Sequence, residues 1–114
     1  KQGGQLAAKM RLMAAPLLGL IETGAWLRNA RHANQSAAVL ETRLAAAGIP
    51  LVFPRQANAV FIHLTEVEAS ALRQRGWPFY ISDCHGAARF MCGWDTTLER
   101  IEALAADLKA CRAT

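Results

Sequence analysis

The sequence predicts an α+β domain in two layers, a small antiparallel sheet with helices on one face, preceded by two long helices. Three observations predict it. Small and apolar residues recur in alternating steps of four and three along Trp26, Ala30, Ala33, Ala37, Leu40, Leu44 and Ala47, which is one face of a helix. Beyond residue 50 the composition shifts to short segments rich in β-branched and aromatic residues. Several of these are joined by hairpin-length turns and stand apart from the helices, which implies antiparallel pairing.

Each element has its own justification. Residues from Gln5 to Glu22 suit a helix, in which Pro16 is expected to cause a kink or a division. Gly24 interrupts, and the second helix follows until Gly48 and Pro50 end it. Leu51-Val52-Phe53 is a short strand candidate closed by Pro54, and Ala59 to Leu64 is a stronger one. Thr65 and Glu68 form a capping box for a helix that reaches Arg75 and stops at Gly76, before Pro78. Phe79 to Ser82 and Ala88 to Cys92 read as strands around a turn holding Asp83 and Gly86. The last helix spans Thr97 to Cys111 and is expected to bury Leu98, Ile101, Leu104, Ala105 and Leu108. Thr96 is its expected N-cap, in a capping box with Glu99. The predicted order is α-α-β-β-α-β-β-α.

A chain of 114 residues is one domain or a piece of one, and 53% hydrophobic content suits a folded globule. The apolar run from Leu12 to Ile21 is too short to span a membrane and is broken by Pro16 and Gly19. No signal peptide is visible, and the chain opens on Lys1 rather than methionine, which leaves its natural start open. Three cysteines without framework spacing point to reduced thiols and a cytoplasmic setting. The net charge of +4 resides in the first 48 residues, where Lys1, Lys9, Arg11, Arg28, Arg31 and Arg43 face only Glu22 and Glu41. These cations are scattered among alanines and leucines without an aromatic platform, which argues against nucleic acid as a partner.

One residue stands out chemically. Arg89 opens an otherwise apolar strand of Phe90, Met91 and Cys92, a costly place for a charge unless an anion meets it. A guanidinium there suits a planar carboxylate, gripped by two parallel hydrogen bonds. The other readings are a structural ion pair or a strand-end arginine reaching solvent. His63, Cys84, His85 and Cys92 match no zinc-ligand spacing, so no metal is expected. Cys84 and His85, as strand neighbours, would point to opposite faces. His32 lies on a long helix among alanines and reads as a packed or surface histidine. Gly3-Gly4 precedes a helix with Lys9 and Arg11, an arrangement able to receive an anion.

Several segments also fall in the order of a known family. Gly3-Gly4-Gln5-Leu6 with Lys9 and Arg11 comes first, followed by Trp26 through Asn34. Asn58-Ala59-Val60-Phe61 and then Arg89 through Thr97, with Trp94 and both threonines, complete the set. Together they resemble the C-terminal part of the low-specificity L-threonine aldolases, fold-type-I pyridoxal-phosphate enzymes related to β-eliminating lyases. The resemblance implies that residues 1–114 are the small domain and lead-in helices of a lyase. That lyase would cleave L-threonine and related β-hydroxy-α-amino acids to glycine and an aldehyde.

The resemblance also implies pyridoxal 5'-phosphate as cofactor and a homo-oligomer, dimer or tetramer, with no membrane or nucleic-acid partner. The cofactor-bearing lysine, the ring-stacking histidine and the aspartate facing the pyridine nitrogen would lie upstream. Neither Lys1 nor Lys9 takes the lysine's role, so this stretch alone is expected to be inactive. Arg89 falls where the family presents an arginine to the substrate α-carboxylate. Arg11 falls where an arginine reaches the cofactor phosphate of a neighbouring subunit, with Lys9 assisting. The chain departs from the pattern at Pro16 and at Cys92-Gly93. Two alternatives stay open: the small domain of another fold-type-I lyase or aminotransferase, and a non-catalytic dimerisation or interaction module.

Overall fold

The structure, a computed structural model, describes residues 9–113. Lys1, Gly3, Gly4 and the expected helix start at Gln5 lie outside them. The first helix, α1, spans Met10–Glu22 and is continuous through Pro16, so the expected division does not occur. No residue of α1 is buried, so no packed layer has to rearrange around the amide that Pro16 lacks. At its end the Thr23 hydroxyl donates to the Gly19 carbonyl at 2.6 Å, and Arg28 donates to the Thr23 carbonyl at 2.7 Å.

Helix α2 (Ala25–Ala46) buries Ala33, Ser36, Ala37, Leu40 and Leu44. The expected apolar face therefore holds over its C-terminal part, whereas Trp26 and Ala30 are exposed. The reason is length. Twenty-two residues of helix reach about 33 Å, farther than the five-residue strands they cover, so the first turns of α2 meet α1 instead. Gly48 closes α2 at φ 71°, with its amide on Ala45 and the Ile49 amide on Leu44, a double hydrogen bond that favours glycine.

Leu51-Val52-Phe53 does not form the expected strand. Pro50 and Pro54 flank it without amide donors, and its link to the sheet is a bond from the Val52 amide to the Phe61 carbonyl. The strands are β1 (Ala59–His63), β2 (Tyr80–Ile81) and β3 (Ala87–Met91), with helix α3 (Glu66–Gln74) between β1 and β2 and helix α4 (Leu98–Arg112) last. The order along the chain is thus one strand shorter than expected. The sheet is antiparallel in the order β1-β3-β2, with Phe61 and Tyr80 both opposite Arg89.

Thr65 and Glu68 form the expected capping box of α3. The expected box at α4 is displaced. Thr97 is the N-cap and accepts from the Arg100 amide, while Thr96 accepts from the Gly93 amide at 2.8 Å and so closes the preceding turn. Leu98 is exposed, because the helix meets the core only from Ile101 onward. Ile101, Leu104, Ala105 and Leu108 are buried as expected. The core lies between α2, α4 and one face of the sheet, filled by Leu40, Leu44, Val60, Ile62, Phe90 and Leu108 among others. The architecture is the α+β arrangement that the sequence predicts.

Candidate functional site

Side chains alternate along β3, so Ala88 and Phe90 enter the core and Arg89 stands on the opposite face. Arg89 is exposed there, on the central strand of the sheet. Phe61 of β1 and Tyr80 of β2 flank it across the ladders. The Arg89 guanidinium carbon lies 5.6 Å from the centre of the Tyr80 ring, within cation–π range. On the β1 side, Phe61 meets the edge of Phe53 at 5.6 Å, and Phe53 meets His85 at 5.2 Å. Among the described residues, ion pairs join Arg43 to Glu102, Arg55 to Glu41, Arg75 to Asp107 and Arg112 to Glu68. None includes Arg89. Its guanidinium edge is therefore open to an anion.

The turn that follows β3 is tied down by Asn58 on one side and by His32 on the other. The Asn58 side-chain amide donates to the Cys92 carbonyl at 2.8 Å, and the Cys92 amide donates to the Asn58 carbonyl at 2.8 Å. His32 on α2 brings Nε2 within 2.8 Å of the Thr96 carbonyl, so the ring nitrogen carries the proton there. Burial pushes the Cys92 thiol above its ordinary pKa, opposed by a hydrogen bond with Thr96. A buried thiol held protonated is a packing group rather than a nucleophile.

Lys9 and Arg11 are placed elsewhere. Both are exposed at the start of α1, which packs on α2 and not on the sheet carrying Arg89. Within this chain the two candidate anion sites are separate. His63 is exposed at the end of β1, and its carbonyl accepts from Arg112 at 2.7 Å. No group of three or more His, Cys, Asp or Glu able to hold a metal occurs among the described residues. The aromatic flank of Arg89 and the Thr96 link of His32 had no local signal. Tyr80 reaches Arg89 through strand register, and His32 is 64 residues from Thr96. Asn58 could have been found, since a polar amide directly before an apolar strand has to satisfy its own hydrogen bonds.

No family model matches the chain. It is 51% identical over 111 residues, 96% of its length, to the low specificity L-threonine aldolase of a Pseudomonas species. The same enzyme of Pseudomonas aeruginosa is 51% identical over 110 residues. The chain is similar to threonine aldolases. It spans 32% of the length of each of these two relatives. In three dimensions it resembles Leishmania major threonine aldolase with a TM-score of 0.59 and 26% identity, over 69% of this chain and 24% of that one.

Proposed function

We propose that the chain forms the C-terminal third of a pyridoxal-phosphate-dependent aldolase, in which Arg89 holds the α-carboxylate of L-threonine or a related β-hydroxy-α-amino acid. The observation that carries this reading is the placement of Arg89, exposed, on the central strand and on the sheet face away from the core, with no carboxylate paired to it among the described residues. The similarity to aldolases over 96% of the chain supports it. A two-point grip on the carboxylate would fix the amino acid about its Cα, so that the bond to be broken is held in one orientation. The aromatic side chains around Arg89 would exclude water from one side of that grip and strengthen it.

The cofactor, when bound, withdraws electrons from the bond that breaks. Within this chain Lys9 and Arg11 fit its phosphate. Among the described residues the first turn of α1 has no acidic residue and no side-chain cap, and Lys9 and Arg11 are both exposed there, an arrangement suited to an anion. Nothing among the described residues fits the pyridine ring, which would lie in the remaining two-thirds of such an enzyme. Because α1 does not pack beside Arg89, Arg11 and Arg89 of one chain would serve different centres, in keeping with a homo-oligomer whose subunits share sites. The exposed Leu12, Met13, Leu17 and Ile21 of α1 would then be covered by the rest of the assembly. No helix of the described residues is long and apolar enough to cross a membrane. A cytoplasmic enzyme with free thiols agrees with the three unpaired cysteines.

Arg89→Lys tests the reading, since lysine keeps the charge and loses the fork. In the cofactor-loaded enzyme, threonine cleavage is expected to fall by roughly 30-fold to several-thousand-fold, as when a desolvated charge pair is broken. The bound cofactor's visible absorbance should persist. Parental cleavage rates in this variant would assign Arg89 to structure alone.

A further inference from the structure

We propose that Tyr80 is a positioning residue for Arg89, its ring holding the guanidinium in the plane from which it grips a carboxylate. This rests on the carboxylate reading of Arg89. Tyr80 stands directly opposite Arg89 in the β2–β3 ladder and on the same face, with the guanidinium carbon 5.6 Å from its ring centre. The neighbouring Phe79 serves the body of the fold, packing on Phe90 at 5.1 Å. Tyr80 is 55% exposed, so its ring is not spent on the core.

The geometry of the two groups is complementary. A guanidinium has two kinds of surface: a flat face that suits an aromatic ring, and an edge of N–H donors that suits a carboxylate. A ring over the face leaves the edge free. Tyr80 and a carboxylate can therefore occupy Arg89 together, whereas an acidic neighbour would compete for the same donors. Arg89 has no ion pair among the described residues, so without the ring its long side chain would be free to sample many rotamers. The ring removes part of that freedom before substrate arrives, and the benefit belongs to binding rather than to the bond-breaking step.

The test compares Tyr80→Leu, Tyr80→Phe and Arg89→Lys in the cofactor-loaded enzyme, measuring kcat and KM for threonine. The dissociation constant of glycine, read from the cofactor's absorbance, is the second measurement. Tyr80→Leu is expected to raise the threonine KM and the glycine constant by about three- to tenfold, the range of a partly exposed cation–π contact. Its kcat should stay within about twofold, and Tyr80→Phe, which keeps the ring, should restore both constants. In an Arg89→Lys background Tyr80→Leu should add nothing further. If Arg89→Lys weakens binding while Tyr80→Leu does not, or if Tyr80→Phe behaves like Tyr80→Leu, the positioning role of the ring is overturned. A loss confined to kcat overturns it as well. If Arg89→Lys itself leaves KM and the glycine constant unchanged, the carboxylate reading beneath it is what fails.

Discussion

The two faces of this three-stranded sheet have opposite characters, although they are built from the same strands. Toward the helices, Val60, Ile62, Ala88 and Phe90 are 5% exposed or less. On the other face Ala87 is also buried, but Tyr80 and Met91, beside Arg89, are more than half exposed. One residue of displacement along β3 separates the two environments. Stability therefore resides on one face and the candidate chemistry on the other, and the two should be separable by mutation.

The largest expected effect breaks the chemistry alone. Arg89→Lys should abolish most threonine cleavage in the loaded enzyme and leave the melting temperature of the protein unchanged, because the side chain takes no part in the core. A large drop in melting temperature would show that the open face also supports the fold. Next in size is the adjacent pair on β3. Phe90→Ala should cost about 3–5 kcal/mol in denaturant unfolding, as for a large aromatic removed from a packed core. Met91→Ala, one residue on, should stay within about 0.5 kcal/mol. Equal losses at the two positions would erase the distinction between the faces.

Much of the covered face could be read from the sequence, whereas on the open face Arg89 could be read and its neighbours could not. β1 and α3 follow from local patterns: an apolar run, and a Thr65–Glu68 box that the structure reproduces bond for bond. Register is a different matter. The placement of Phe61 and Tyr80 on either side of Arg89 depends on pairings over 28 and 9 residues of chain, between positions 61, 80 and 89, and no local spacing encodes it. The two threonines at 96 and 97 show a second limit. Thr96 has the capping-box spacing to Glu99, but the tight turn from Gly93 claims its hydroxyl, and the cap passes to Thr97. Leu51–Phe53 has strand composition, but its flanking prolines leave few amides for a ladder.

That reassigned cap gives the third prediction. Thr97→Ala should destabilise by about 1 kcal/mol through loss of the bond to the Arg100 amide. If it is silent in denaturant unfolding, the cap lies elsewhere. The smallest expected effect concerns the helix layer behind the covered face. The Trp77 indole donates to Asp107 at 2.7 Å and holds its carboxyl below the usual 3.8, with Arg75 adding to the effect. A depressed carboxyl contributes stability while it is ionised, so the contribution is present above its ordinary range and is lost as pH falls below it. Asp107→Asn should flatten the acid limb of a stability–pH curve, and an unchanged acid limb would remove Asp107 from the account.

The strand that carries Arg89 is central in space but comes last among the strands in sequence. β1 is made first and waits through α3 and β2 for β3, its ladder partner, to arrive. During synthesis, the Val60 and Ile62 strand therefore emerges tens of residues before the ladder that will satisfy its backbone, a period in which an unpaired apolar edge invites association with other chains. The β2–β3 hairpin closes over a short loop and is the fast local event, so the sheet should nucleate there and recruit β1 afterwards. A nascent chain stalled after residue 74 and before residue 87 would hold α1, α2 and α3 but neither β3 nor α4, with no sheet to lay the helices on.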